Sequence, residues 1–329
     1  MRVLIVGCGY VGRPLGAELA RQGHEVFGVR RSNTGDAELQ AAGITPIHAD
    51  VTNPQSLAAL PAGIDWVVNC AASGGGGPDE YRQLYVDGNR HLREHFAAAP
   101  PRKFVYTSST GVYGQNDGSV VTEDSPTEPE SETAKVLVQA EQVLLDAARQ
   151  RSFPAVILRV AGIYGPERGY LLKQFLRNEA RLEGSGGRWL NMIHRDDLTG
   201  VIIAALRTGQ PGGIYNAVGD QPVSQLEFFT WLAAQLNRPL PPAVPEDAAA
   251  PRKRGLTNKR ISNRKLRTEL GYGFKFPNYQ SGYTAEIQRL SRLAPDSTSG
   301  RSKSGGQASR LRGHHGGSEP ESQSSGEGG

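Results

Sequence analysis

The chain has 329 residues, a formal net charge of +4 and 37% hydrophobic residues, a low apolar share for a compact globule. No apolar run is long enough to span a membrane, and two cysteines, Cys8 and Cys70, exclude a disulfide framework. The positive residues are scattered without the aromatic interleaving of RNA-binding modules, which argues against a nucleic-acid partner.

The N-terminus opens directly on the apolar run Val3-Leu4-Ile5-Val6, as in a strand buried on both faces. That opening predicts no signal peptide, and the reduced cysteines predict a cytoplasmic location. Residues 15–22 read as a helix, 25–30 as a second strand, 45–48 as a third and 66–70 as a fourth. A long helix over 81–98, a fifth strand over 103–108, a helix over 131–150 and a sixth strand over 155–160 follow. Strands and helices alternating at this spacing predict an α/β fold with a doubly wound parallel sheet, the Rossmann architecture. The second half is less regular. Helices are expected over 169–178, 196–207, 224–237 and 261–270, a strand over 213–217, and a loop over 239–251. From about residue 295 the chain is mostly Ser, Gly, Arg and Glu, and it cannot bury enough surface to offset its ordering entropy. The expected organisation is a dinucleotide-binding lobe over 1–165, a smaller substrate lobe over 166–294 with segments returning to the first, and a disordered tail over 295–329.

Gly7-Cys8-Gly9-Tyr10-Val11-Gly12 follows the first strand and opens the first helix. In that context G-x-G-x-x-G is a dinucleotide fingerprint. Gly7 permits the tight turn, Gly9 lets the backbone approach a pyrophosphate, and Gly12 lets helix and strand pack closely. Tyr10 and Val11 complete the turn, and the helix N-terminus presents free N–H groups to the phosphates. The second strand ends in Arg30-Arg31-Ser32, where an NAD-binding protein usually places an acid. Two guanidiniums suit the 2′-phosphate of NADP; NAD, with a surface arginine pair, is the alternative. Asp50 and Val51 close the third strand, where a carboxylate can hydrogen-bond the adenine amino group. Cys70, Ala71 and Ala72 close the fourth with small side chains that let a backbone run beside the cofactor. The fifth strand ends in Thr107-Ser108-Ser109-Thr110-Gly111-Val112-Tyr113-Gly114, hydroxyls at the edge where ligands bind in open α/β sheets.

With this segment the chain resembles the extended short-chain dehydrogenase/reductases, the nucleotide-sugar epimerase and dehydratase group. Arg159 with Ile163-Tyr164-Gly165-Pro166, the segment Ile193-His194-Arg195-Asp196-Asp197, and Tyr215-Asn216-Ala217-Val218-Gly219 are similar to further motifs of that group. The resemblance covers about residues 1–285. It implies hydride transfer on a nucleotide sugar or related hydroxyl/carbonyl substrate, with Ser109 as the partner of the substrate hydroxyl. Its expected partners are a small molecule and a second copy of the chain.

One departure stands out. The family pairs a catalytic Tyr with a Lys four residues later, and here that stretch reads Ser131-Glu132-Thr133-Ala134-Lys135. The lysine is present, and the resemblance assigns it the nicotinamide ribose. The phenol is absent, and the glycine spacing also departs from the G-x-x-G-x-x-G of most extended members. Both features resemble an atypical branch lacking the tyrosine. Tyr113, Tyr164 or Glu123-Asp124 are the candidate replacements, while His194 reads as a loop-ordering hydrogen bonder. No metal-ligand spacing is evident. The alternative function is a cofactor-binding sensor or scaffold without turnover.

Overall fold

The structure, a computed structural model, describes residues 1–150, 153–245 and 257–293. The expected tail from 295 and the end of the expected loop over 239–251 lie outside the described residues. Met1–Arg289 cluster as one compact unit.

Seven strands form the central sheet: β1 (Arg2–Val6), β2 (Glu25–Arg30), β3 (Ile44–His48), β4 (Trp66–Asn69), β5 (Lys103–Ser109), β7 (Ala155–Val160) and β12 (Ile214–Ala217). Their spatial order is β12-β7-β5-β4-β1-β2-β3, and every pairing is parallel. Short strands supplement it: β6 (Val120–Val121), β8 (Gly162–Tyr164), β9 (Leu182–Glu183), β10 (Trp189–Leu190), β11 (Met192–His194), β13 (Val223–Ser224), β14 (Ala243–Val244) and β15 (Arg260–Ile261). The helices are α1 (Gly12–Arg21), α2 (Asp36–Ala41), α3 (Pro78–Tyr81), α4 (Gly88–His95), α5 (Glu132–Arg149), α6 (Tyr170–Leu176), α7 (Arg195–Thr208), α8 (Gln225–Leu236) and α9 (Tyr279–Leu293).

Period-two alternation in β1 explains the layering. Leu4 and Val6 join a core that includes Leu137, Ala140 and Leu144 of α5. Val3 and Ile5 join the opposite core, with Leu15 and Leu19 of α1 and Val201 and Ile202 of α7. A third, aromatic cluster holds Phe175, Phe228, Phe229, Tyr279 and Tyr283, drawn from α6, α8 and α9. From β1 the chain winds through β2 and β3 in one direction and through β4, β5 and β7 in the other. The crevice beyond the ends of β1 and β4 is therefore the switch point of the sheet, where open α/β sheets bind ligands.

The elements of the first half stand where the alternation places them, and α8 begins with the capping box of Ser224 and Glu227. Two expectations fail. Residues 261–270 are helical only in part: Arg260–Ile261 pair in parallel with Val120–Val121, and the coil runs over 264–270, widened from Leu266 onward. The final helix is α9, which the sequence hides. Its stretch YQSGYTAEIQRLSRL is mostly polar, and only Tyr279, Tyr283 and Ile287 mark the face packed on the aromatic cluster. The short α2 is also unanticipated.

Candidate dinucleotide and substrate site

Gly7 leaves β1 with φ +83, in the left-handed region that favours glycine. A Cβ there would lie 2.5 Å from the Cα and N of Ala71. At Gly9 a Cβ would meet nothing within 4 Å, so the backbone lies open. At Gly12 it would stand 2.7 Å from the Gly7 carbonyl oxygen, which holds α1 against the turn. No backbone carbonyl among the described residues accepts from the N–H groups of Tyr10, Val11 or Gly12. The first turn of α1 carries no acid. Three free amides at the positive end of a helix dipole fit a diphosphate, and the open face of Gly9 leaves room for it.

The turn forms part of the wall of a cavity of about 1000 Å³. Gly7, Gly9, Tyr10 and Val11 line it, as do Arg30, Arg31, Asp50 and Val51. Ala71 and Ser109 join them from the ends of β4 and β5. Gly12 supports the turn without lining the cavity. The two arginines differ. Arg30 Nη1 donates to the Thr34 carbonyl at 2.7 Å, so Arg30 folds the following loop. Arg31 is exposed at the cavity wall beside Ser32. Asp50 Oδ1 accepts from both the N–H and the hydroxyl of Thr52, at 2.9 and 2.8 Å. Burial pushes the Cys8 thiol up to about 12, which keeps it a neutral, inert packing group.

At the other end Ser109 is 7% exposed, and its Oγ accepts from the Gly111 N–H at 3.1 Å. Ser131 is the N-cap of α5, its Oγ accepting from the Ala134 N–H at 3.4 Å. The position of the family's phenol is thus occupied by a helix cap. Lys135 is not brought to the cavity. It points to the exposed face of α5, where Nζ pairs with Glu132 at 2.7 Å. Neither Tyr113 nor Tyr164 lines the cavity, contrary to expectation. The Tyr113 hydroxyl donates to Asn216 Oδ1 at 2.8 Å and accepts from Arg159 at 2.9 Å. Tyr164 stacks on Tyr283 with centroids 4.3 Å apart. Glu123 is neither a free acid nor a helix cap: its Oε1 accepts from the Asn216 N–H at 2.8 Å. His194 caps α7, its Nδ1 accepting from the Asp196 N–H, and burial lowers its pKa.

One buried network escaped the sequence reading. Ser108, on the cavity wall, donates to Glu141 Oε1 at 2.5 Å, and Glu141 pairs with Arg159 at 2.8 Å. Both charged side chains are at most 5% exposed. Burial alone would lower the arginine's pKa, but the adjacent carboxylate outweighs it and raises it. A signal existed in the sequence: Glu141 falls among Leu137, Ala140 and Leu144, on the buried stripe of an amphipathic helix. Among the described residues no cluster of three His, Cys, Asp or Glu could hold a metal, and no helix is long and apolar enough to cross a membrane.

The seven-stranded parallel sheet and the glycine turn define a Rossmann-fold protein. More narrowly, the chain belongs to the NAD dependent epimerase/dehydratase family, whose model matches residues 3–217. It is 27% identical over 285 residues to Protein YeeZ of Escherichia coli K12, covering 84% of this chain and 97% of that protein. A solved structure of a functionally unknown conserved protein from Silicibacter pomeroyi is 30% identical, with a TM-score of 0.74 over 88% of this chain and 98% of that one. The dTDP-glucose 4,6-dehydratase DesIV from Streptomyces venezuelae, solved with NAD bound, shares the fold: the TM-score is 0.76 at 22% identity, over 89% of this chain and 97% of that one.

Proposed function

We propose that the protein is an NADP(H)-dependent oxidoreductase or epimerase acting by hydride transfer on a hydroxyl or carbonyl of a nucleotide sugar or a related molecule. The observation that carries this reading is the continuity of one cavity, with Arg31 and Ser32, the glycine turn and Ser109 all on its wall. The adenosine end lies at Arg31, Ser32 and Asp50. Arg31 with Ser32 binds the 2′-phosphate, while Arg30 shapes the loop that presents them. The Tyr10–Gly12 amides hold the diphosphate. The nicotinamide supplies or accepts the hydride when bound. Ser109 hydrogen-bonds the substrate oxygen and holds it beside that ring. Ser131 and the exposed Lys135 take no part in proton transfer, and water accessible in the cavity carries the proton. A nucleotide sugar is favoured by the family and by the substrate named for DesIV.

A second reading is a dinucleotide sensor without turnover. It is favoured by one observation, the helix-capping serine where the family's acid/base stands. Mass spectrometry of small molecules that co-purify with the full chain, followed by turnover assays on nucleotide sugars with NADP⁺ and NADPH, separates the two. The enzyme reading expects the cofactor to change redox state, or the sugar to be isomerised, in a Ser109-dependent way. A tightly held cofactor that no substrate of the panel alters would overturn it in favour of the sensor.

A further inference from the structure

Beyond β8 the chain makes a four-residue turn, Gly165-Pro166-Glu167-Arg168. Gly165 and Arg168 exchange both backbone hydrogen bonds, at 2.8 and 3.0 Å. Pro166 sets the first bend. Glu167 takes φ +64, a conformation that costs a non-glycine residue and persists only when its surroundings hold it. The surroundings do so here. A Cβ at Gly165 would come within 3.1 Å of His194 Nε2 and 3.3 Å of the Tyr10 hydroxyl, so the turn is seated against the edge of Tyr10 and His194.

The outcome is the placement of one cation. The guanidinium carbon of Arg168 stands 5.1 Å from the centroid of the Tyr10 ring, and Arg168 lines the same cavity as the glycine turn. A second guanidinium, that of Arg195, stands 5.3 Å from that centroid, but it is bound to Asp196 at 3.0 Å. Arg168 has no ion pair and no side-chain hydrogen bond among the described residues. Contact with an aromatic face restrains a guanidinium while leaving its five N–H donors available. Tyr10 itself belongs to the turn whose three amides lack acceptors. A free, restrained cation and three free amides thus converge on one short segment.

We infer that Arg168 is a ligand of the dinucleotide's diphosphate, reaching over it from the segment beyond β8 while the Tyr10–Gly12 amides hold it from the β1 side. The inference rests on the dinucleotide reading above and adds a residue to it. Guanidinium and phosphate match in a two-point geometry that an ammonium cannot reproduce. The contact also ties the chain after β8 to cofactor occupancy.

The test is a titration of the full chain with NADPH, NADH and ADP-ribose, comparing wild type with Arg168→Ala and Arg168→Lys. All three ligands carry the diphosphate, and ADP-ribose lacks the nicotinamide. Arg168→Ala should weaken all three by the same factor, about tenfold or more for a lost charged hydrogen bond, with an unchanged melting temperature. Arg168→Lys should fall between. Unchanged affinities in Arg168→Ala would overturn the inference and leave the cofactor reading intact. So would a loss confined to NADPH and NADH, which would put Arg168 on the nicotinamide, or a rise in substrate KM alone. Failure of the wild type to bind any of the three would overturn the cofactor reading itself.

Discussion

At Gly7, Gly9 and Gly12 the residue type is dictated by backbone geometry: a positive φ, an open face, and a carbonyl oxygen that a Cβ on the first helical residue would meet at 2.7 Å. At Ser131–Lys135 the same kind of motif spacing holds side chains that do something else. Ser131 caps α5 and Lys135 pairs with Glu132 in solvent. A site made of backbone amides survives as long as the glycines do. A site made of side chains depends on where each one points, and a single Tyr-to-Ser difference releases the helix start for capping. The glycine-turn end of this cavity is therefore more strongly determined than the end at Ser109.

The contrast has measurable consequences. The largest concerns the network behind Ser108 on the cavity wall. Glu141→Gln leaves the Arg159 charge buried without its counter-ion, which costs about 3–5 kcal/mol. Thermal unfolding should show a fall of about 10 °C for a fold of this size. A fall of only a degree or two would mean that the network does not support β5. Next comes Gly7→Ala. The left-handed φ penalises it by about 1–2 kcal/mol, and its Cβ would overlap the backbone of Ala71. Dinucleotide titration should show binding reduced by well over tenfold, and retention of full affinity would show that the turn does not hold the cofactor. Ser131→Ala is expected to cost about 1 kcal/mol through the lost cap and to change any turnover by less than about tenfold, below the usual contribution of a general acid or base. Collapse of turnover with folding and binding intact would make Ser131 the acid. Smallest is Lys135→Ala. An exposed pair contributes little, so both stability and NADPH affinity should stay within error. A marked loss of affinity would mean that Lys135 leaves Glu132 to hold the ribose.

These contrasts also explain what was legible in the sequence. The buried run of β1, the glycines and the alternation of strands and helices report backbone requirements, and they predicted the sheet and most of the cavity wall. The cavity-lining ends of β2, β3, β4 and β5 were legible because polar or small residues follow each strand directly. Other features depended on tertiary direction and were missed. Tyr113 and Tyr164 carry the right chemistry, but one is consumed by Asn216 and Arg159 and the other by ring stacking. Arg168 follows a recognisable Tyr-Gly-Pro, yet only the fold brings it onto Tyr10. The helix α9 was hidden because Tyr279, Tyr283 and Ile287 suffice to dock a mostly polar stretch once an aromatic cluster is there to receive them.

The central claim, that the cavity is an NADP(H) site read by Arg31, is tested most directly by fluorescence titration of the wild type and Arg31→Ala with NADPH and NADH. A charged hydrogen bond to the 2′-phosphate contributes about 1.5–3 kcal/mol. Wild type should therefore bind NADPH about ten- to a hundredfold more tightly than NADH, and Arg31→Ala should remove the difference while leaving NADH affinity unchanged. Equal affinities in the wild type, or a preference for NADPH that survives the loss of Arg31, would contradict it.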